Sequence, residues 1–206
     1  MEIDDLLLIS RKRVFIFLLI ISVSVAAICS IMLILDKYDN YRYFSEVFAT
    51  SLVMVVTSIG GWICEALLER EAAPEHRLLP LVPQMGLVFS LTWAALCLVP
   101  IWGLHTLVTE MYLRVWATTA VLSWVFTHVS LLLLARLKSS YSWARAATIL
   151  AITGLSGIQL TMIWTPYGYD EETGKIASIL IILIVAFSAL VAIFHGLSKG
   201  SSNDVA

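Results

Sequence analysis

The sequence predicts an all-α protein, a polytopic membrane bundle of six transmembrane helices arranged as three helical-hairpin repeats. Three observations predict it. Hydrophobic residues make up 60% of the 206 positions and charged residues only 14%, against roughly half and a quarter in ordinary soluble domains. Six apolar segments can be drawn, 14–35, 44–68, 78–105, 112–134, 144–164 and 176–197. Each reaches the ~20 helical residues that cross a bilayer core of about 30 Å. A signature also recurs at the head of alternate segments: Phe48-Ala49-Thr50-Ser51, Trp116-Ala117-Thr118-Thr119 and, more loosely, Ile176-Ala177-Ser178. Each follows an earlier apolar run, so one two-helix plan recurs over residues 11–70, 77–138 and 143–199 of a single integral membrane domain.

The first segment follows Arg11-Lys12-Arg13 and is too long for the apolar region of a cleaved signal peptide. Ala26-Ala27-Ile28-Cys29 places Ile28 wrongly for a lipoprotein site, so a retained helix is expected. In the second segment Thr50, Thr57, Gly61 and Glu65 recur at helical spacing on one face. Pro80, Pro83 and Pro100 are expected to trim or kink the third. The fourth carries Ala120, Ser123, Thr127 and Ser130 on one stripe, and the sixth Val185, Ala189, Ala192 and Gly196. In the fifth, Ala147, Ala151, Gly154 and Gly157 predict a close-packing face. Lipid tails supply no hydrophobic drive between helices, so small side chains that let backbones approach are the expected seams.

Positive charge sets the expected orientation. With six spans, one side holds both termini and Arg11, Lys12, Arg13, Arg70, Arg77, Arg136, Lys138, Arg145 and Lys199. The other holds only Lys37, Arg42, Arg114 and Lys175. The positive-inside rule then puts both termini in the cytoplasm, and the expected location is the bacterial inner (plasma) membrane. Tyr38, Tyr41, Tyr43, Trp102, Tyr112, Trp116, Trp164, Tyr167 and Tyr169 gather at the outer boundary as an aromatic belt. A net charge of −2 gives no signal for nucleic acid. The expected partners are the lipid bilayer and other membrane subunits or a second copy. Cys29, Cys64 and Cys97 lie in different segments without metal or redox spacing, and read as small buried hydrophobes.

Candidate chemistry is sparse. Glu65 is the one carboxylate drawn inside a span; its place near Glu69-Arg70 suggests a solvated or Arg70-paired group at the cytoplasmic interface. His128 is the deepest histidine, about 24 Å of helix below Tyr112. With Thr50, Thr57, Ser123 and Thr127 these two form the candidate intramembrane polar site. A haem reading needs a second histidine at matching depth, and His195 is about 10 Å deeper. Gly154-Leu155-Ser156-Gly157 is similar to the Gly-x-Ser-Gly nucleophile of rhomboid proteases. Here, however, Ser156 and His195 sit roughly 16 Å apart in depth, against the ~3 Å a nucleophile and base require. The outer stretch Tyr167-Gly168-Tyr169-Asp170-Glu171-Glu172 reads as a solvated turn. The expected function is therefore non-enzymatic, an accessory, scaffold or assembly subunit in the membrane, with no cofactor and no metal. The alternative is a small ion or solute channel or transporter using the stripes around Glu65 and His128, and a more distant one is a haem-binding membrane protein.

Overall fold

The computed structural model describes residues 3–35, 41–71, 81–104, 107–135, 137, 139–165 and 171–200. Among them there is no strand. Six helices follow in order: α1 (Ile3–Leu35), α2 (Tyr41–Glu71), α3 (Leu81–Ile101), α4 (Glu110–Leu134), α5 (Ser142–Trp164) and α6 (Glu171–Gly200). All six are long and apolar enough to cross a membrane. Most outrun their apolar segments, because the end of apolarity does not end a helix. α1, for example, extends back through Arg11, Lys12 and Arg13.

The ends of the helices follow from local chemistry. α4 begins at Thr109, which has extended backbone angles, and its hydroxyl accepts from the Tyr112 N–H at 3.2 Å. Glu110 in that first turn favours the positive end of the helix dipole and pairs with Arg114. The far end of α4 is completed by another helix: Arg70 Nη1 of α2 donates to the carbonyls of Leu133 and Leu134, at 3.2 and 2.7 Å. A helix terminus leaves its last carbonyls without intrahelical partners, and a cation placed there is favoured twice, by hydrogen bonding and by the dipole.

α3 shows how a proline is carried in a long apolar helix. Pro83 lies in the first turn, where its missing N–H has no intrahelical partner to lose. Pro100 is inside the helix and deprives the Leu96 carbonyl of its usual donor. The Tyr112 hydroxyl of α4 donates to that carbonyl instead. The helix therefore runs on through Pro100 and closes just beyond it. Gly103 takes φ +80°, and its N–H and that of Leu104 return to the carbonyls of Pro100 and Val99, at 3.3 and 3.1 Å.

Packing runs along the chain, each helix against the next, with α2 also reaching α4. α2 is the most enclosed, with 44% of its span buried against 11% for α1 and α6. Its small residues explain why. A methyl added at Gly61 would fall 2.3 Å from the Phe15 ring of α1. One at Gly60 would meet Thr127 and Ser90 hydroxyls at 3.3 and 3.4 Å. On α3, Gly86 lets Cys64 approach so closely that a methyl there would lie 2.7 Å from Sγ. A second core joins α4, α5 and α6 through Leu132, Ala144, Ala151, Ile152, Leu155, Ile184 and Val191.

Two expected seams differ from what is found. On α5 the buried face runs through Ala144, Thr148, Ala151, Ile152 and Leu155. Gly157 lies on the opposite side with nothing within 4 Å, and Gly154 makes only an ordinary contact with Leu180. On α6 the helix packs through Ile184 and Val191, while Val185 and Ala189 face outward and Ala192, also exposed, borders a cleft toward α4. Spacing of three and four residues identifies a stripe, but on a helix apolar all round it does not say which stripe is buried.

Two outcomes are expected. Tyr112→Phe should destabilise the protein by about 1–3 kcal/mol by leaving the Leu96 carbonyl unpaired. In a Pro100→Ala background, where the backbone donor returns, the same change should cost far less; unfolding in mixed micelles measures both legs of the cycle. Gly86→Ala should cost about 1–3 kcal/mol through overpacking, and adding Cys64→Ala should recover most of that loss.

Candidate functional site

The polar groups of the bundle fall into two kinds. Most span hydroxyls are spent locally. Thr50, Ser51, Thr57, Thr118, Thr148 and Thr161 each donate to the carbonyl four residues earlier, at 2.7–2.9 Å. Other polar groups tie helices together. Trp116 Nε1 donates to Cys97 Sγ at 3.2 Å, joining α4 to α3. Trp164 Nε1 donates to Thr118 Oγ1 at 3.0 Å, joining α5 to α4. For a bundle whose helices are long and apolar enough to cross a membrane, such pairs would be the partners hydrocarbon allows.

Two clefts lie against α4. The first, about 350 Å³, opens where α2, α3 and α4 diverge, and is bordered by Ser90, Trp93, Ser123, Trp124, Thr127 and His128 among aliphatic side chains. The second, about 300 Å³, lies between α4 and α6 and is bordered by His128, Ser188 and His195. His128 and Leu131 border both. His128 Nε2 and Ser188 Oγ are 3.2 Å apart, a hydrogen bond between α4 and α6 whose direction follows the imidazole tautomer. The Trp124 ring lies beside the imidazole, with centroids 5.6 Å apart.

Of the six residues of the expected polar site, Ser123, Thr127 and His128 come together at the first cleft. Thr50, Thr57 and Glu65 do not border either cleft. The α2 stripe they belong to turns at Gly61 toward Phe15 of α1. Glu65 is also not at a solvated position: it is 2% exposed. Helix distance from the outer face placed it near the interface, but α2 continues to Glu71 and its neighbours cover the carboxylate. Arg70, one turn further on α2, donates through Nη1 to the end of α4.

His195 borders the second cleft with His128, yet it lies two turns beyond Ser188 on α6, about 10 Å along the axis. The two imidazoles thus share a cleft at different heights, whereas axial ligation of one iron needs them level. No group of three or more His, Cys, Asp and Glu suited to a metal ion occurs among the described residues. Ser156 is buried and donates to the Thr153 carbonyl of its own helix at 2.9 Å. His76, His105 and the outer stretch from Tyr167 to Asp170 lie outside the described residues.

Trp93 and Ser188 carry no sequence signal of their own, and only the fold brings them to the clefts. Trp93 has a further property. Its Nε1 is buried and has no hydrogen-bond partner, alone in this among the described side chains. A buried donor left unpaired costs about 1–3 kcal/mol.

The His128–Ser188 bond should be worth little to stability. Ser188→Ala is expected to lower it by about 0.6 kcal/mol, the usual size of an interhelical bond in lipid. A loss of several kcal/mol in micelle unfolding would contradict this.

No family model matches the chain, and comparison with curated proteins and with solved structures gives no match either.

Proposed function

We propose that the chain is a non-enzymatic integral membrane protein, an accessory, scaffold or assembly subunit that meets other membrane chains through α6. The observation that carries this reading is the outward stripe on α6. Val185 and Ala189 are exposed beside the Ile184–Val191 line by which the helix packs, and Ala192, also exposed, borders the cleft toward α4. Small residues allow a second helix to come close enough for dispersion contacts, which is what holds helices together in lipid. Bulky Ile181, Ile182 and Ile193 flank the stripe and are also exposed. Their branched side chains lose little rotamer freedom when packed. α1 offers a comparable apolar surface at the other edge, through Phe17, Ile20, Ile28 and Ile31.

The finer reading takes the six helices as three hairpins on one plan, α1–α2, α3–α4 and α5–α6. Both termini are cytoplasmic, in a plasma membrane of bacterial type. Supporting it are the excess of Lys and Arg on one side and the recurrence of an aromatic followed by small and hydroxyl residues where the chain re-enters from the outer side.

A photoreactive residue at Ile182, irradiated in native membranes, is expected to give a discrete protein adduct, either a dimer of this chain or a second polypeptide. Ala189→Phe should abolish it. Adducts to lipid alone would overturn the reading.

A further inference from the structure

Cations at the two ends of the bundle are treated differently. Where α2, α4 and α6 begin, Arg42 pairs with Glu46 at 3.0 Å, Arg114 pairs with Glu110, and Lys175 is engaged as well. Toward the other end lie Arg13 of α1, Arg70 of α2 and Arg145 of α5, and none of the three forms an ion pair among the described residues. Glu65 and Glu69, the carboxylates described there, are engaged with other groups. Trp143, 53% exposed in the first turn of α5, lies at the same end. An exposed indole together with guanidinium groups is the composition of a headgroup boundary.

Arg70 is the most constrained of these cations. Its Nη1 is held on the Leu133 and Leu134 carbonyls at 3.2 and 2.7 Å, yet the residue is exposed. Those bonds leave the Nε and Nη2 donors of a planar fork that suits a phosphate. The carbonyls also stand at the mouth of the cleft between α4 and α6. Leu134 and Ala135 border that end of the cleft, and His195 borders it from α6. From there the cleft, about 300 Å³, runs between Leu131, Leu132, Val191 and Ala192 to His128 and Ser188, whose mutual hydrogen bond closes it off. His128 and Ala135 are two turns apart, about 10 Å along the axis.

Charge and shape together select the occupant. A soluble anion would use Arg70 and leave the apolar cleft empty. A neutral lipid would fill the cleft and bring no net charge to an end where guanidinium groups lack carboxylates. A phosphate carried on a hydrocarbon chain uses both.

We propose that this end of the bundle binds an anionic phospholipid, its phosphate accepting from Arg70 and one acyl chain lying in the cleft between α4 and α6. The site rests on the reading of the six helices as membrane spans, and it needs no partner chain at α6.

The test uses the full chain purified in detergent, with phosphatidylglycerol and phosphatidylcholine of the same chain length added in turn. Unfolding temperature and lipid retained in native mass spectrometry are the readouts. Phosphatidylglycerol is expected to raise Tm saturably and to be retained, and phosphatidylcholine to bind about tenfold more weakly. Arg70→Gln should remove that preference, the equivalent of one lost charge-assisted hydrogen bond, and Arg70→Lys should keep part of it. Ala192→Phe fills the cleft from α6 and should abolish retention with Arg70 intact, which keeps the proposal open to refutation if Arg70→Gln does not fold. Arg42→Gln removes a paired cation at the opposite end and should leave binding of both lipids unchanged. Equal binding of the two lipids, or retention that survives in Ala192→Phe, would overturn the proposal. So would an equal rise in Tm from inorganic phosphate alone, which would make a free anion the occupant. Because no other chain is present, failure here leaves the Ile182 cross-link as a separate result.

Discussion

Six helices long and apolar enough to cross a membrane leave a buried polar group little solvent to fall back on, and most features of this bundle answer that constraint. The Leu96 carbonyl, deprived of its donor by Pro100, is met by Tyr112 from the next helix. The last carbonyls of α4 are met by Arg70 from α2. Hydroxyls along the spans fold back onto their own backbones. In water each of these groups would be served by solvent at small net cost; in hydrocarbon each becomes an obligatory contact. The tertiary arrangement is thus tied to particular pairs of atoms, and only loosely to hydrophobicity, which is everywhere.

Apolarity being uniform, shape decides who packs on whom. α2 is central because it has glycine or cysteine where three other helices press against it. Phe15 lies over Gly61, the Thr127 and Ser90 hydroxyls approach Gly60, and Cys64 meets Gly86. Close packing of this kind gains dispersion energy that lipid tails cannot match at a smooth helix surface. Where Val56 and Ile59 of α2 face Trp124 and Leu131 of α4 across open space, a cleft is left. The same helix therefore supplies both the tightest contacts and one wall of the open space.

The six helices were legible in the sequence because length and apolarity alone decide a span. The α2 stripe was legible too, since glycine and hydroxyl residues stand out against aliphatic neighbours. The α6 stripe was visible but its direction was not, because Ile and Leu on every side give no contrast between lipid and protein. The cover over Glu65 was hidden for a related reason. Counting residues gives height in the membrane but says nothing of lateral cover. The clefts were invisible, as they depend on the angles at which helices diverge. Trp93 and Ser188 looked like ordinary span residues, and Pro100 read as a break until its partner on α4 was known.

Arg70 has a consequence for the order of events in assembly. The guanidinium that completes α4 belongs to a residue 63 and 64 positions before the two carbonyls it serves. A chain made from its N-terminus has α2 in place before α4 emerges. α4 therefore arrives to find its terminating group already waiting, and its C-terminal end becomes definite only on docking. The boundary of one helix is thus written into the flank of another, and time of synthesis becomes part of how the bundle is specified.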